Sequence, residues 1–219
     1  MPDQITQELK AFGYELPEDL NRCISFHGHL CPGLLHGYVV ARHAARTLGV
    51  DPSLDEEVVT ICENSSCAVD AMQVLLGTTI GKGNLQFKNH GKMVFTIFSR
   101  DTERAIRYSR QGYYSYKGEH RDEFRKLEQL HNSGNITRGE KRRKKMLQAL
   151  DLIGRPIEEL FRVQEVDVPV PEFARIEHSV RCAQCGELTM ESRMVTGDDG
   201  KRYCIPCAEE QGMVIGNLD

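Results

Sequence analysis

Four cysteines near the C-terminus constrain the folding of this chain more than any other feature. Cys182 and Cys185 form one C-x2-C pair, Cys204 and Cys207 form a second, and 18 residues separate the pairs. A two-residue spacer lets both thiolates of a pair reach one ion at ~2.3 Å, and two pairs complete a tetrahedral Zn²⁺ site without an open position. The spacing predicts a structural zinc ribbon, because a segment of roughly 40 residues can hardly bury a core without the ion.

The start of the chain bears on what these cysteines do. Residues 1–10 are polar and acidic and show no secretory signal, which favours a cytoplasmic protein. Cytoplasmic cysteines serve metal binding or thiol chemistry more often than disulfides. A redox role for the pairs is the alternative, but neither lies in a thioredoxin-like pattern. The longest uncharged run, residues 24–41, contains three histidines and a proline, so we expect no membrane span.

A proline-containing segment marks the domain boundary. Val168-Pro169-Val170-Pro171 cannot continue a helix or a central strand, because proline has no N–H to donate. The chain of 219 residues suits one full domain with a smaller one attached. We therefore predict a core domain over 1–168, a linker over 169–176 and the ribbon over 177–219.

Hydrophobic patterning in the core predicts an α+β fold in which a mixed or antiparallel sheet packs with helices. Residues 85–89, 93–99 and 105–109 are predicted to form an antiparallel meander. The remaining strands are expected at 58–62 and 161–168. The predicted helices cover 32–48, 67–76, 119–131 and 137–153.

An N-terminal group of histidines and cysteines predicts a second metal or reactive-thiol site. His27, His29 and Cys31 alternate, and in an extended segment alternation points side chains the same way. Cys67 begins the next predicted helix and is a candidate fourth ligand. Both cysteines are expected at helix N-termini, where the helix dipole lowers a thiol pKa. The alternative is that all four are packing or capping residues.

Other reactive residues have simpler interpretations. Cys23 and Cys62 are expected to be packing residues, and His36 and His43 to lie on the polar face of their helix. Lys82 lies between two glycines in a loop that could hold an anion, although a plain turn is the default for such a loop.

The distribution of charge argues against a nucleic-acid-binding protein. The chain has a net charge of −4, and residues 100–145 carry 14 basic and 7 acidic groups. The basic run 141–145 continues into an apolar pattern at helical spacing, so we expect a solvated helix face. The ribbon itself is acidic, whereas phosphate binding requires clustered Lys and Arg.

Several motifs occur in an order that resembles one protein family. They are Phe26-His27-Gly28-His29-Leu30-Cys31-Pro32-Gly33 with Gly37-Tyr38, Cys67-Ala68-Val69-Asp70-Ala71-Met72-Gln73, Gly81-Lys82-Gly83-Asn84-Leu85, and Gly91-Lys92. Together they resemble the FmdE family of formylmethanofuran dehydrogenase proteins over about residues 20–165. The tail resembles a DksA/TraR-type zinc finger.

The resemblance implies an α+β core, a homodimer and a Cys/His pocket. His29, Cys31 and Cys67 are its implied metal or reactive residues, with His27 as an additional ligand. The implied pocket lining, which includes the cofactor-binding candidates, consists of Asp70, Gln73, Lys82 and Asn84.

Three functions follow as hypotheses. The leading one is a cytoplasmic metal-binding accessory protein that handles or senses a divalent metal or small cofactor for a redox-enzyme partner. The second is a metal-dependent enzyme for a small anionic substrate, with Cys31, Cys67, Asp70 and Lys82 as catalytic candidates. A zinc-finger regulator that binds nucleic acid is the third.

Overall fold

A five-stranded mixed sheet frames the N-terminal part of the protein. The computed structural model describes Leu9 and residues 14–215, and the chain divides into two units, residues 1–173 and 174–219. The sheet has the order β2-β1-β3-β4-β5. Its strands are β1 Val58–Cys62, β2 Leu85–Phe87, β3 Val94–Ser99, β4 Arg104–Arg110 and β5 Phe161–Val166. The predicted α+β fold with a mixed sheet is confirmed.

The predicted meander is wrong for its first strand. β2 pairs in parallel with β1, with Thr60 opposite Leu85, rather than with β3. Parallel neighbours need a long crossover, and a helix between the two strands supplies it. β3 and β4 do form the predicted antiparallel pair, with Ile97 opposite Ile106.

Six helices accompany the sheet in this unit within the described residues. They are α1 Glu18–His27, α2 Pro32–Leu48, α3 Ala68–Leu76, α4 Arg121–Asn132, α5 Arg138–Ile153 and the single turn α6 Ile157–Leu160. The four predicted helices correspond to α2 to α5. The sequence analysis did not predict α1, which ends where Gly28 adopts a φ of +91°.

α2 and α3 pack against each other at very short range. A Cβ on Gly37 would lie 2.0 Å from the carbonyl oxygen of Ala68, so only glycine fits this crossing. Tyr38 and Met72 are both buried in the main core beside this contact. The packing brings the first turns of α2 and α3 together, which positions the site described below.

The basic run lies on α5, as the pattern predicted. Arg143 Nε lies 2.7 Å from a carboxylate oxygen of Glu123 on α4, and Lys144 Nζ lies 3.8 Å from Glu128. These side chains therefore pair with a neighbouring helix. Across the described residues, no helix has the length and apolar character needed to cross a lipid bilayer.

The C-terminal unit consists of two small hairpins and a short helix. β6 Ser179–Arg181 pairs with β7 Leu188–Met190, and β8 Met194–Thr196 pairs with β9 Arg202–Cys204. α7, Ile205–Glu210, follows β9 directly. The first cysteine pair lies in the β6–β7 connection and the second spans the junction of β9 and α7.

Candidate metal centres

Three of the predicted ligands in the core come together. The donor atoms of His27, Cys31 and Cys67 all lie within 4.8 Å of one another. His27 is the last residue of α1, and each cysteine is the residue that precedes a helix, Cys31 before α2 and Cys67 before α3. The close crossing of α2 and α3 therefore assembles the cluster.

The spacing of the donors suits a metal ion. His27 Nε2 lies 3.6 Å from Cys31 Sγ, and two ligands bound tetrahedrally at ~2.1 and ~2.3 Å lie roughly 3.6 Å apart. Gly33 borders both thiols, since a Cβ there would lie 3.0 Å from Cys67 Cβ and 3.8 Å from Cys31 Sγ. The missing side chain leaves the two sulfur atoms free to converge, so these residues fit a bound divalent ion.

Asp70 holds the imidazole of His27 in place. His27 Nδ1 lies 2.6 Å from Asp70 Oδ2, and Gln73 Nε2 donates to Asp70 Oδ1 at 3.3 Å. A carboxylate on Nδ1 fixes the tautomer in which Nδ1–H donates and the lone pair of Nε2 points away. Here that lone pair is on the side of Cys31. Metal-binding histidines in proteins commonly have such a carboxylate partner.

One side of the cluster is accessible to solvent. Cys31 is buried, whereas Cys67 is partly buried and the His27 side chain is 11% exposed. The sequence analysis expected the helix N-terminus to lower the pKa of the Cys31 thiol, but its burial raises that pKa despite the N–H of Leu34 at 3.3 Å. A metal cation would reverse this effect, because a coordinating thiol is deprotonated.

His29 does not occupy the position that alternation predicts. The premise of an extended segment is wrong, because His27 is helical and Gly28 turns the chain. The exposed His29 ring instead lies 4.5 Å from the His27 ring, centroid to centroid. His29 is therefore beside the three-residue cluster, at its solvent side.

Lys82 and Asn84 make other contacts. Lys82 Nζ donates to the carbonyl oxygens of Ser53, at 2.7 Å, and Leu54, at 3.4 Å. Asn84 is buried, and its Nδ2 donates to the carbonyl oxygens of Asp55 and Val58, both at 2.9 Å. The contacts of both residues tie their loop to the segment that precedes β1. Of the predicted lining residues, only Asp70 and Gln73 connect to the cluster by these hydrogen bonds.

The remaining cysteines and histidines of the core lie away from the surface. Cys23 and Cys62 are buried, and burial raises the pKa of each thiol to about 12. Contrary to the expected polar face, His36 is buried with its ring edge against Phe161, and burial lowers its pKa to about 4. His43 is partly buried and its Nδ1 lies 2.8 Å from the hydroxyl of Tyr108. The apolar core takes up one side of α2 more widely than the pattern suggested.

A groove of about 560 Å³ between α1 and α3 adjoins the cluster. Phe26, with 58% of its surface exposed, and Val74 contribute apolar surface. Gln73 also lines this groove, and its amide is bonded to the carboxylate that holds His27. A ligand in the groove would therefore be two hydrogen bonds from the candidate metal ligand.

The C-terminal unit brings all four predicted cysteines together. The sulfur atoms of Cys182, Cys185, Cys204 and Cys207 lie within 4.8 Å of one another. Cys185 Sγ and Cys204 Sγ are 3.8 Å apart, roughly the distance between two thiolates on one Zn²⁺. The backbone N–H of Cys204 donates to Cys182 Sγ at 3.3 Å and lowers the pKa of that thiol to about 6. The donors fit a closed, structural zinc site.

Comparison with known proteins identifies the family. The profile described as "FmdE, Molybdenum formylmethanofuran dehydrogenase operon" matches residues 26–162. The chain belongs to the FmdE family. A second profile, the prokaryotic DksA/TraR C4-type zinc finger, matches residues 175–211, and with the four-cysteine cluster it supports zinc in the FmdE protein's tail. Membership supports an accessory protein in a formylmethanofuran dehydrogenase context.

Two individual proteins resemble this FmdE protein over most of its length. A probable S-adenosyl-L-methionine-binding protein of Archaeoglobus fulgidus is 30% identical over 207 residues, which cover 90% of this chain. The match covers 54% of that relative, so the chain spans about half the relative's length. A crystal structure of an FmdE-like protein of tungsten formylmethanofuran dehydrogenase from Syntrophus aciditrophicus has a TM-score of 0.58 at 19% identity. It covers 93% of this chain and 97% of its own. That likeness shows the shared fold.

Proposed function

We propose that this FmdE protein is a metal-binding accessory protein of the cytoplasm. It handles or senses a divalent metal held by His27, Cys31 and Cys67, on behalf of a redox enzyme. The observation that carries the proposal is the imidazole held by Asp70 next to two converging thiols. Softer ligands of this kind suit zinc, iron, cobalt or nickel rather than magnesium or calcium.

The number of ligands supports handling rather than a purely structural role. Three protein ligands leave a fourth position for an exogenous ligand or for transfer, whereas structural zinc sites are usually closed by four. A divalent ion bound there can polarise or exchange a ligand on the solvent side, next to His29. The same open position suits the alternative of a metal-dependent enzyme. Lys82, the residue assigned to hold its anionic substrate, is bonded to two backbone carbonyls instead.

Metal content of the full chain tests the proposal. We expect two metal ions per chain after reconstitution with zinc, cobalt, nickel or iron in turn, and one ion per chain in the Cys31→Ser/Cys67→Ser variant. His27→Gln, a second variant, should weaken binding at the same site. Cys182→Ser/Cys185→Ser is the matched control, because it removes two thiols from the other site and should keep the core metal. Elemental analysis with circular dichroism separates metal loss from unfolding.

Two results would contradict the core site. One is a wild-type protein that binds a single ion and loses it only in the control variant. The other is a double variant with undiminished metal content and an unchanged fold.

The groove lined by Gln73 extends the proposal to a small ligand. The A. fulgidus relative is named as a probable S-adenosyl-L-methionine-binding protein, which makes this compound the first to titrate by calorimetry. Heat of binding that disappears in Gln73→Ala would support the groove. If wild-type protein gives no heat, S-adenosyl-L-methionine drops out and the metal proposal stands by its own test.

A further inference from the structure

The second half of α2 borders a cavity of about 580 Å³ whose charged lining is basic. Arg42 and Arg46 reach it from α2 together with His43, and Arg155 reaches it from the connection between α5 and α6. None of the described residues that line it is acidic. A wall with three guanidinium groups stands out in a chain of net charge −4.

Arg42 and Arg46 differ in how they are held. Arg42 Nη1 donates to the hydroxyl of Tyr38 at 2.9 Å, and that hydroxyl donates to Asp19 at 2.9 Å. Asp19 is also 3.8 Å from Arg42 Nε. Arg46 has no ion-pair partner among the described residues, and its side chain is exposed. One guanidinium is thus oriented by its neighbours, and the next turn of the helix supplies one whose charge is not paired.

Arg155 is the fixed side of the cavity. Its side chain is 9% exposed, and it pairs with Asp151 and donates to the carbonyl of Ser115. Its Nε is buried without a hydrogen-bond partner. Asp19 and Asp151 carry negative charge near the arginines, as does Glu158 near His43, but none of the three lines the cavity. An anion in the cavity would meet guanidinium groups before it met a carboxylate.

We infer that this cavity binds a small organic anion with at least two negative charges, carried by phosphate or carboxylate oxygens. A guanidinium presents parallel N–H donors that match either group. Val39, Ile153 and Ile157 line the same cavity and suit an apolar part of the ligand. The volume is within the range of small-molecule sites, about 300 to 1,000 Å³. None of the lining residues belongs to the His27–Cys31–Cys67 cluster, from which Arg42 is separated by about 16 Å along α2.

Calorimetric titration of the full chain at low ionic strength tests this site. Inorganic pyrophosphate and citrate serve as probes, one for each kind of oxygen. Arg46→Gln should weaken binding of the preferred probe by about tenfold, the effect of one lost charged hydrogen bond. The variant should fold, because the side chain is exposed. Arg125→Gln is the matched control, since Arg125 is on α4 with a side chain 73% exposed and loses the same charge.

The outcomes separate cleanly. Binding of either probe that Arg46→Gln weakens and Arg125→Gln does not would support the site and identify its oxygen chemistry. The inference is overturned if neither probe binds, if Arg46→Gln binds as wild type does, or if both variants weaken binding equally. Metal content should be the same in all three proteins, so this test is independent of the proposed function.

Discussion

At the scale of single residues, the core cluster depends on a side chain that does not contact a metal. Asp70 accepts from His27 Nδ1 and from Gln73, so it links the metal ligand to the groove between α1 and α3. Residues in this position orient the ligand and raise its basicity, and their loss commonly costs 10- to 100-fold in metal affinity, a rough range. The carboxylate is therefore the most informative residue to change without removing a donor.

Asp70→Asn should lower the metal affinity of the core site by about 10- to 100-fold. The amide keeps the volume of the side chain but offers no charge to His27, and its NH2 can face Nδ1 and disturb the tautomer. Competition with a chelating dye measures the affinity. Asp122→Asn removes a charge from a side chain that is 99% exposed on α4 and should leave the affinity unchanged. Equal affinities in both variants would show that Asp70 has no part in binding.

The sequence predicted the residue types of this cluster better than their arrangement. Cys31 and Cys67 could be placed because proline, glycine and the apolar pattern mark the starts of both helices. His27 and His29 could not be ranked, because α1 runs up to His27 and its end depends on packing that no local pattern shows. The bond from His27 to Asp70 joins residues 43 apart, so it depends on the tertiary fold.

At the scale of elements, the crossing of α2 and α3 controls the site. Gly37 lets the backbone of α2 approach Ala68, and each helix begins with one of the two thiols. Any residue that pushes the helices apart should therefore disturb both stability and metal binding. The sheet supports this arrangement through the β1–α3–β2 crossover, which carries Cys67 at its start.

Gly37→Ala should destabilise the protein by about 3 kcal/mol, the upper part of the range for overpacking. The added Cβ would lie 2.0 Å from a backbone oxygen, so a helix must shift. Gly139→Ala is the control on α5, where a Cβ meets nothing within 4 Å and the better helix former should be neutral or slightly stabilising. Urea denaturation measures both free energies of unfolding. Two variants of equal stability would contradict the close crossing.

The position of β2 shows where pattern reasoning fails at this scale. Its three residues are too few for periodicity to reveal a partner, and proximity in sequence suggested β3. The order strand, helix, strand is nevertheless the signature of a parallel crossover. The long helices were predictable because α2 and α5 carry their apolar residues at three- and four-residue intervals over four turns.

At the scale of the whole molecule, two metal sites of different kinds belong to two separate units. The core site has three ligands and an exposed side, whereas the ribbon site has four cysteines and little else to hold its fold. The homodimer, the cytoplasmic location and the redox-enzyme partner stay predictions. Light scattering of the purified chain measures the first of these directly.

Loss of zinc should unfold the C-terminal unit and leave the core folded. The unit buries few apolar side chains, among them Tyr203 and Ala208, beside the cysteines themselves. Binding energy of about 10 to 16 kcal/mol for structural zinc is then also its folding energy. Cys185 is exposed, so Cys185→Ser removes a ligand with little loss of packing. We expect this variant to lose one zinc ion per chain.

Limited trypsin digestion measures the consequence, since Arg181, Arg193 and Lys201 lie in the unit and offer cleavage sites. Cys185→Ser should be cut rapidly at these residues while a core fragment survives, because the core has its own hydrophobic centre on the sheet. Cys31→Ser is the matched control: it removes a thiol from the other site, so its C-terminal unit should resist trypsin as the wild type does. A Cys185→Ser protein that keeps its zinc and its resistance would mean that packing, rather than the metal, folds this unit.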